Sequence, residues 1–215
     1  MRAMTATRSE PAVATRWLLW AAVAGVLAGI AAKAADESGW SWAADLGTFP
    51  AAWVLAVALI AWWAPTPAAA AVRAGVFFGG MTVAYYAWAA SVLDFGWDVR
   101  LLVAWLLLSA TAVPLTGAVL AAATRRAGPV AGALLGVPAG LVLGSGAARV
   151  EWLRWVQPDV VLPTRPVQVV AEVVTAVVLV AVLPRHHGTR WWAAGCAVVA
   201  VPLAPHALDL LHRFV

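Results

Sequence analysis

The sequence predicts an all-α fold: a polytopic transmembrane helical bundle of about seven helices with a short interfacial helix on the outer side. Three observations carry this. Apolar residues run almost unbroken through positions 17–35, 50–64, 68–93, 101–123, 129–147, 166–183 and 191–211. Of 215 residues, 64% are hydrophobic and 11% charged, against about 25% charged in soluble domains. The 14 tryptophans lie at the ends of the apolar blocks, the headgroup level that amphipathic rings prefer. A run of roughly 17–25 apolar residues crosses the ~30 Å hydrocarbon layer as a helix, because a helix satisfies its own backbone hydrogen bonds there.

Residues 1–16 read as a cytoplasmic basic leader with Arg2, Arg8 and Arg16, and residues 17–215 as a single transmembrane domain. The first block carries a small-residue stripe, Ala21, Gly25 and Gly29, expected to pack against another helix. A basic leader, an apolar run and small residues around Ala32 also describe a cleaved signal peptide, so retention of this helix stays open. Pro65-Thr66-Pro67 makes a tight turn between the second and third blocks, which predicts an antiparallel hairpin. Arg125-Arg126-Ala127-Gly128-Pro129 does the same between the fourth and fifth. Pro114 and Pro138 remove backbone donors inside the fourth and fifth helices and are expected to kink them.

The fifth block holds a ladder of glycines at every fourth position: Gly128, Gly132, Gly136, Gly140 and Gly144. Small residues at this spacing open a groove that lets a neighbouring backbone approach, where lipid offers no hydrophobic drive for association. The pairs Gly25/Gly29 and Gly75/Gly79 make the first and third helices its expected partners. After it, residues 148–157 alternate apolar and charged side chains and read as an amphipathic helix in the outer interface.

Topology follows from charge. With all blocks spanning and the N-terminus inside, Arg2, Arg8, Arg16, Arg73, Arg125, Arg126, Arg185 and Arg190 fall on the inner side, mostly in short turns where the positive-inside rule is strongest. The acids, Glu10 and Glu172 apart, fall outside. The expectation is a cell-membrane protein with a cytoplasmic N-terminus and an external C-terminus. The basic balance is thereby explained without a nucleic-acid partner. Lone Cys196 excludes an intrachain disulfide.

Polar residues inside apolar blocks mark candidate sites. Gln168, Glu172 and Thr175 follow i, i+4, i+7 and share one helix face. Glu172 sits roughly 9 Å from the outer end at 1.5 Å per residue, and an acid in hydrocarbon must find a cation or become neutral. Arg149, Arg154 or Arg165 of the following or preceding loop is its expected partner. Tyr85 and Tyr86, with Thr82, are placed in the same candidate pocket. Asp94 and Asp98, with Asp36, Glu37 and Asp45, read as a solvated acidic rim, since no loop offers the six to eight oxygens calcium takes. His186, His187 and His206 lack the companions of a zinc or haem site, and no metal or cofactor is expected.

Several activities are argued down. A retinal protein needs a lysine in the last helix, and the sole lysine is Lys33. Leu143-Gly144-Ser145-Gly146 is only superficially similar to an intramembrane serine protease, because Leu143 stands where that family has Gly and no His follows in the next helix. No Walker motif, H-E-x-x-H or dinucleotide fingerprint is present. No enzymatic role is expected.

The ordered set Phe49-Pro50-Ala51-Ala52-Trp53, Tyr85-Tyr86, Pro114-Leu115-Thr116-Gly117, Arg125-Arg126, Leu143-Gly144-Ser145-Gly146, Glu172 and Pro184-Arg185 resembles a family of small bacterial multi-pass membrane proteins classed only as a domain of unknown function. The resemblance covers about residues 18–200. It implies a helical membrane fold and carries over no activity. Two function classes remain: a small-solute or ion transport component with an unknown small-molecule ligand, or a non-catalytic accessory protein packing against partner helices of other membrane proteins.

Overall fold

The computed structural model describes residues 10–48, 50–157 and 164–214; the leader up to residue 9, Phe49, the loop segment containing Asp159 and Val215 lie outside the described residues. Among the described residues all regular structure is helical. The order is α1 (Glu10–Asp36), α2 (Ser41–Thr48), α3 (Pro50–Trp63), α4 (Pro67–Ser91), α5 (Val99–Ala110), α6 (Ala112–Arg125), α7 (Pro129–Ser145), α8 (Ala147–Val156), α9 (Pro166–Val177) continuing into a π-helical turn (Val178–Val182), and α10 (His187–Phe214). Four of these begin on proline, Pro50, Pro67, Pro129 and Pro166. The first helical position is where a missing N–H is harmless and φ is already set. In the hairpin turn before α4, Thr66 Oγ1 accepts from Ala69 N at 3.1 Å, capping the helix. Gly128, at φ 112°, makes the left-handed turn before α7.

Two long helix pairs organise the molecule. α1 lies along α4, and α7 along α10. In each pair residue numbers rise together, Gly25 meeting Phe77 and Gly29 meeting Met81, or Gly136 meeting Ala193 and Gly144 meeting Val201, so both pairs are parallel. Each pair is separated in sequence by a short helix and a proline-initiated apolar helix, α2 and α3 in one case, α8 and α9 in the other. Between the pairs, α3, α6 and α9 close a core of Val57, Leu120, Leu135, Leu179 and Leu183 among many alanines.

The packing is inverted relative to a soluble protein. Ala58, Ala61, Ala70 and Ala74 are wholly buried, while Val130 and Val198 are 73% exposed and Leu115 66%. Small residues inside and large apolar ones outside suit a solvent of hydrocarbon, in which close backbone approach rather than side-chain burial holds helices together. By length and composition three helical stretches are able to cross a membrane: Thr15–Asp36, Pro67–Ser91 and Val99–Arg125. A fourth arises if α7 and α8, bent by 58° at their junction, count as one broken span.

The expected blocks thus resolve unevenly. α3 has 14 residues and α9 12 followed by a five-residue π turn. At 1.5 Å per residue α3 is about 21 Å long, short of a ~30 Å layer. Prolines bracket both, which is why neither apolar block yields a longer helix. α2 was not foreseen in the connection before Pro50. Regular helix breaks at Thr111, where ψ is −77°, because the Pro114 ring would collide with the carbonyl one turn earlier. Pro138 lies inside α7 without ending it.

Candidate functional site

The stripe on α9 turns inward. Gln168, Glu172 and Thr175 are at most 1% exposed. Glu172 does not meet an arginine. Its Oε1 accepts from Ala147 N at 2.9 Å and its Oε2 from Ala148 N at 2.8 Å, the free N–H groups at the start of α8. Gln168 Nε2 donates to Oε1 at 2.9 Å. Helix N-termini attract anions through unpaired N–H groups and the helix dipole, so the carboxylate is satisfied by backbone where a guanidinium had been expected. Arg154 pairs instead with Glu151 at 3.2 Å. Thr175 Oγ1 donates to Ala51 O at 3.1 Å and to Ala171 O at 2.7 Å, tying α9 to α3. This cluster joins α7, α8, α9 and α3, and reads as architecture; Gln168 Oε1 alone has no partner.

Tyr85 and Tyr86 lie elsewhere. They line a cavity of about 530 Å³ enclosed by the end of α1 and by α3, α4, α5 and α6, and Gln168, Glu172 and Thr175 are not among its walls. The aromatic walls are Trp53, Phe78, Tyr85, Tyr86 and Trp105; Val54, Val57, Met81 and Val113 add aliphatic surface. Trp53 and Phe78 pack edge to face at 6.0 Å. The hydroxyls of Ser109 and Thr116 are spent on their own helices, donating to Trp105 O and Ala112 O at 2.8 Å.

One carboxylate faces this apolar space. Tyr85 Oη donates to Asp36 Oδ2 at 2.5 Å, while Asp36 Oδ1 is buried without a hydrogen-bond partner. The nearby ammonium of Lys33, 5.2 Å from the Tyr85 ring centroid, is committed to Glu37 at 2.6 Å. Asp36 therefore does not belong to a solvated acidic rim, as its neighbours in sequence suggested. Asp98 caps α5 by accepting from Leu101 N at 3.0 Å. Lys33 and Asp36 are i, i+3 on one face of α1, and both approach Tyr85 of α4.

The glycine faces are spent inside the chain. A Cβ at Gly132, Gly136, Gly140 or Gly144 would fall within 3.0 Å of α10, on the carbonyls of Ala193, Ala197 and Val201 or the side chains of Trp192, Ala200 and Ala204. The ladder's partner is thus α10, not the first or third block. The α10 face is built of alanines, which a search for glycine pairs does not detect. Gly25 and Gly29 meet α4, whose answering residue is Gly80; Gly79 faces open space and Gly75 approaches Pro114 and Ser109. Gly128, with nothing within 4 Å of a Cβ, serves the turn and not the groove.

At the opposite end, the Arg125 guanidinium donates to Ala121 O at 2.5 Å and to Ala64 O, holding the end of α3 to α6. Thr189 Oγ1 accepts from Gly128 N at 3.2 Å and donates to Arg126 O at 3.3 Å. These bonds tie the turns together. The chain matches no protein-family model, no curated protein and no solved structure.

Proposed function

We propose that this chain is a seven-span membrane protein that binds a small, mainly apolar solute in the cavity between α1, α3, α4, α5 and α6, as the binding component of a transport system. The observation that carries the reading is the cavity itself. An apolar, aromatic-lined space with few convergent polar groups is the usual form of a small-molecule site, whereas Ala-rich membrane interfaces elsewhere in this molecule close tightly. In this reading α10 and the short helices α3, α7 and α9, with local thinning of the bilayer around the short ones, add four crossings to the three long stretches, α8 lies in the outer interface, the arginine-rich turns face the cytoplasm, and the cavity faces outward. The accessory reading drew on the glycine faces. Since α4 and α10 already cover them, we favour binding of a solute over docking of partner helices.

The test uses 1-aminoanthracene, a neutral fluorophore that brightens in apolar cavities, with the full chain in lipid nanodiscs. Saturable binding is expected, lost in Val113→Trp and in Val54→Trp, two independent ways of filling the space, with helicity retained. Fluorescence that rises without saturation, as in empty nanodiscs, overturns the reading.

A further inference from the structure

We infer that the solute is an organic cation, an aromatic or aliphatic body bearing a protonated amine, and that Asp36 Oδ1 receives its N–H. This rests on the cavity being the binding site. The argument is one of unmatched charge. Asp36 presents two oxygens; Tyr85 satisfies Oδ2 at 2.5 Å, and Oδ1 has neither partner nor water-exposed surface. A buried acceptor left unpaired costs free energy comparable to the bond it lacks, and more when it belongs to a charged group. Such an atom in a native structure calls for an explanation, and at the wall of an open cavity a bound donor supplies one.

No group on the cavity wall pairs with Oδ1. No basic residue lines it, and the ion pairs among the described residues are Lys33–Glu37 and Glu151–Arg154. With Lys33 engaged by Glu37, no basic side chain of the wall pairs with the Asp36 carboxylate. An acidic solute would be repelled there, and a hydroxyl would complete the hydrogen bond without balancing the charge. An ammonium does both. Trp53, Tyr86 and Trp105 on the wall offer the second component of cation recognition, since aromatic quadrupoles attract a cation within about 6 Å of the ring, and Val57 and Val113 offer surface to the apolar body. Tyr85, by donating to Oδ2, keeps the carboxylate oriented so that Oδ1 points to the ligand.

The experiment compares two probes that share a body and differ in charge, 1-naphthylmethylammonium and 1-naphthalenemethanol, by isothermal titration of the nanodisc-embedded chain against empty nanodiscs. The ammonium is expected to bind about tenfold tighter or more, because it adds an opposite charge to a hydrogen bond that the alcohol also makes to the carboxylate. Asp36→Asn should abolish that preference by weakening the ammonium much more than the alcohol, and Asp36→Glu should retain part of it. If both probes bind wild type equally, or the preference survives Asp36→Asn, the cation assignment is overturned while the cavity remains a binding site. If neither probe binds beyond empty nanodiscs, and 1-aminoanthracene does not saturate, the cavity reading falls with it.

Discussion

Gly146 makes room for the carboxylate of Glu172: a Cβ at position 146 would coincide with Glu172 Oε1. The helix break between α7 and α8 therefore depends on two residues from different parts of the chain. One lacks a side chain so that the other's can reach the two N–H groups beyond it.

That dependence predicts a paired phenotype. Gly146→Ala should push the carboxylate off Ala147 N and Ala148 N, at a cost of about 1–3 kcal/mol for buried bonds lost to a charged acceptor. The midpoint of thermal unfolding in detergent should fall by roughly 4–10 °C. Glu172→Gln, which presents one acceptor oxygen instead of two, should have an effect of similar size. Combining it with Arg149→Gln, Arg154→Gln or Arg165→Gln should recover nothing, because the partner is backbone; recovery in any double variant would restore the arginine pairing.

Alanine at individual glycines distinguishes close helix contact from mere composition. Gly136→Ala and Gly25→Ala place a methyl group on the carbonyls of Ala193 and Phe77 and should each lower the melting midpoint clearly. Gly79→Ala meets open space and should be neutral or stabilising by up to about 1 kcal/mol, from helix propensity alone. Equal effects at all three would mean that α1–α4 and α7–α10 are not packed through these faces.

Arg125 illustrates a charge used for its donors. Arg125→Ala leaves the carbonyl of Ala64 unpaired where α3 ends and should cost roughly 1.5–3 kcal/mol, a hydrogen bond to a charged group. Arg125→Lys, with a point charge in place of a fork, should recover part of it. Exposed Arg126 offers only its backbone carbonyl to Thr189, and Arg126→Ala should leave the melting midpoint within about 0.5 kcal/mol of wild type. Thermal unfolding of the three variants in one detergent decides it.

The proposed seven-span orientation would place the C-terminus outside. A reporter that fluoresces only in the cytoplasm, fused after Val215, should be dark, whereas the same reporter inserted at Arg126 should be bright. A bright C-terminal fusion would remove a crossing, α3 and α9 being the short candidates, or reverse the whole orientation.

The sequence by itself determined the apolar runs able to cross a membrane, the helical class and the ends of most helices, because these depend on local properties. Apolar runs long enough for hydrocarbon, prolines at first turns such as Pro67 and Pro129, and the caps Thr66 and Asp98 all act within one turn of themselves. It also marked Glu172 and the glycine ladder as residues with inward business, since a carboxylate or a row of missing side chains is conspicuous in an apolar block. Partners were decided only by the tertiary structure. Backbone N–H groups have no sequence signature, so Glu172 was matched to a nearby arginine when it caps α8. An alanine face is as smooth as a glycine face but is invisible against an alanine-rich chain, so the ladder on α7 was assigned to the wrong helix. Asp36, placed by sequence on a solvated rim, lines the cavity and meets Tyr85 of α4, a hydrogen bond between residues 49 apart in sequence. Which side of a helix meets which neighbour is set by the sum of many small close approaches, and that sum exists only once the chain is folded.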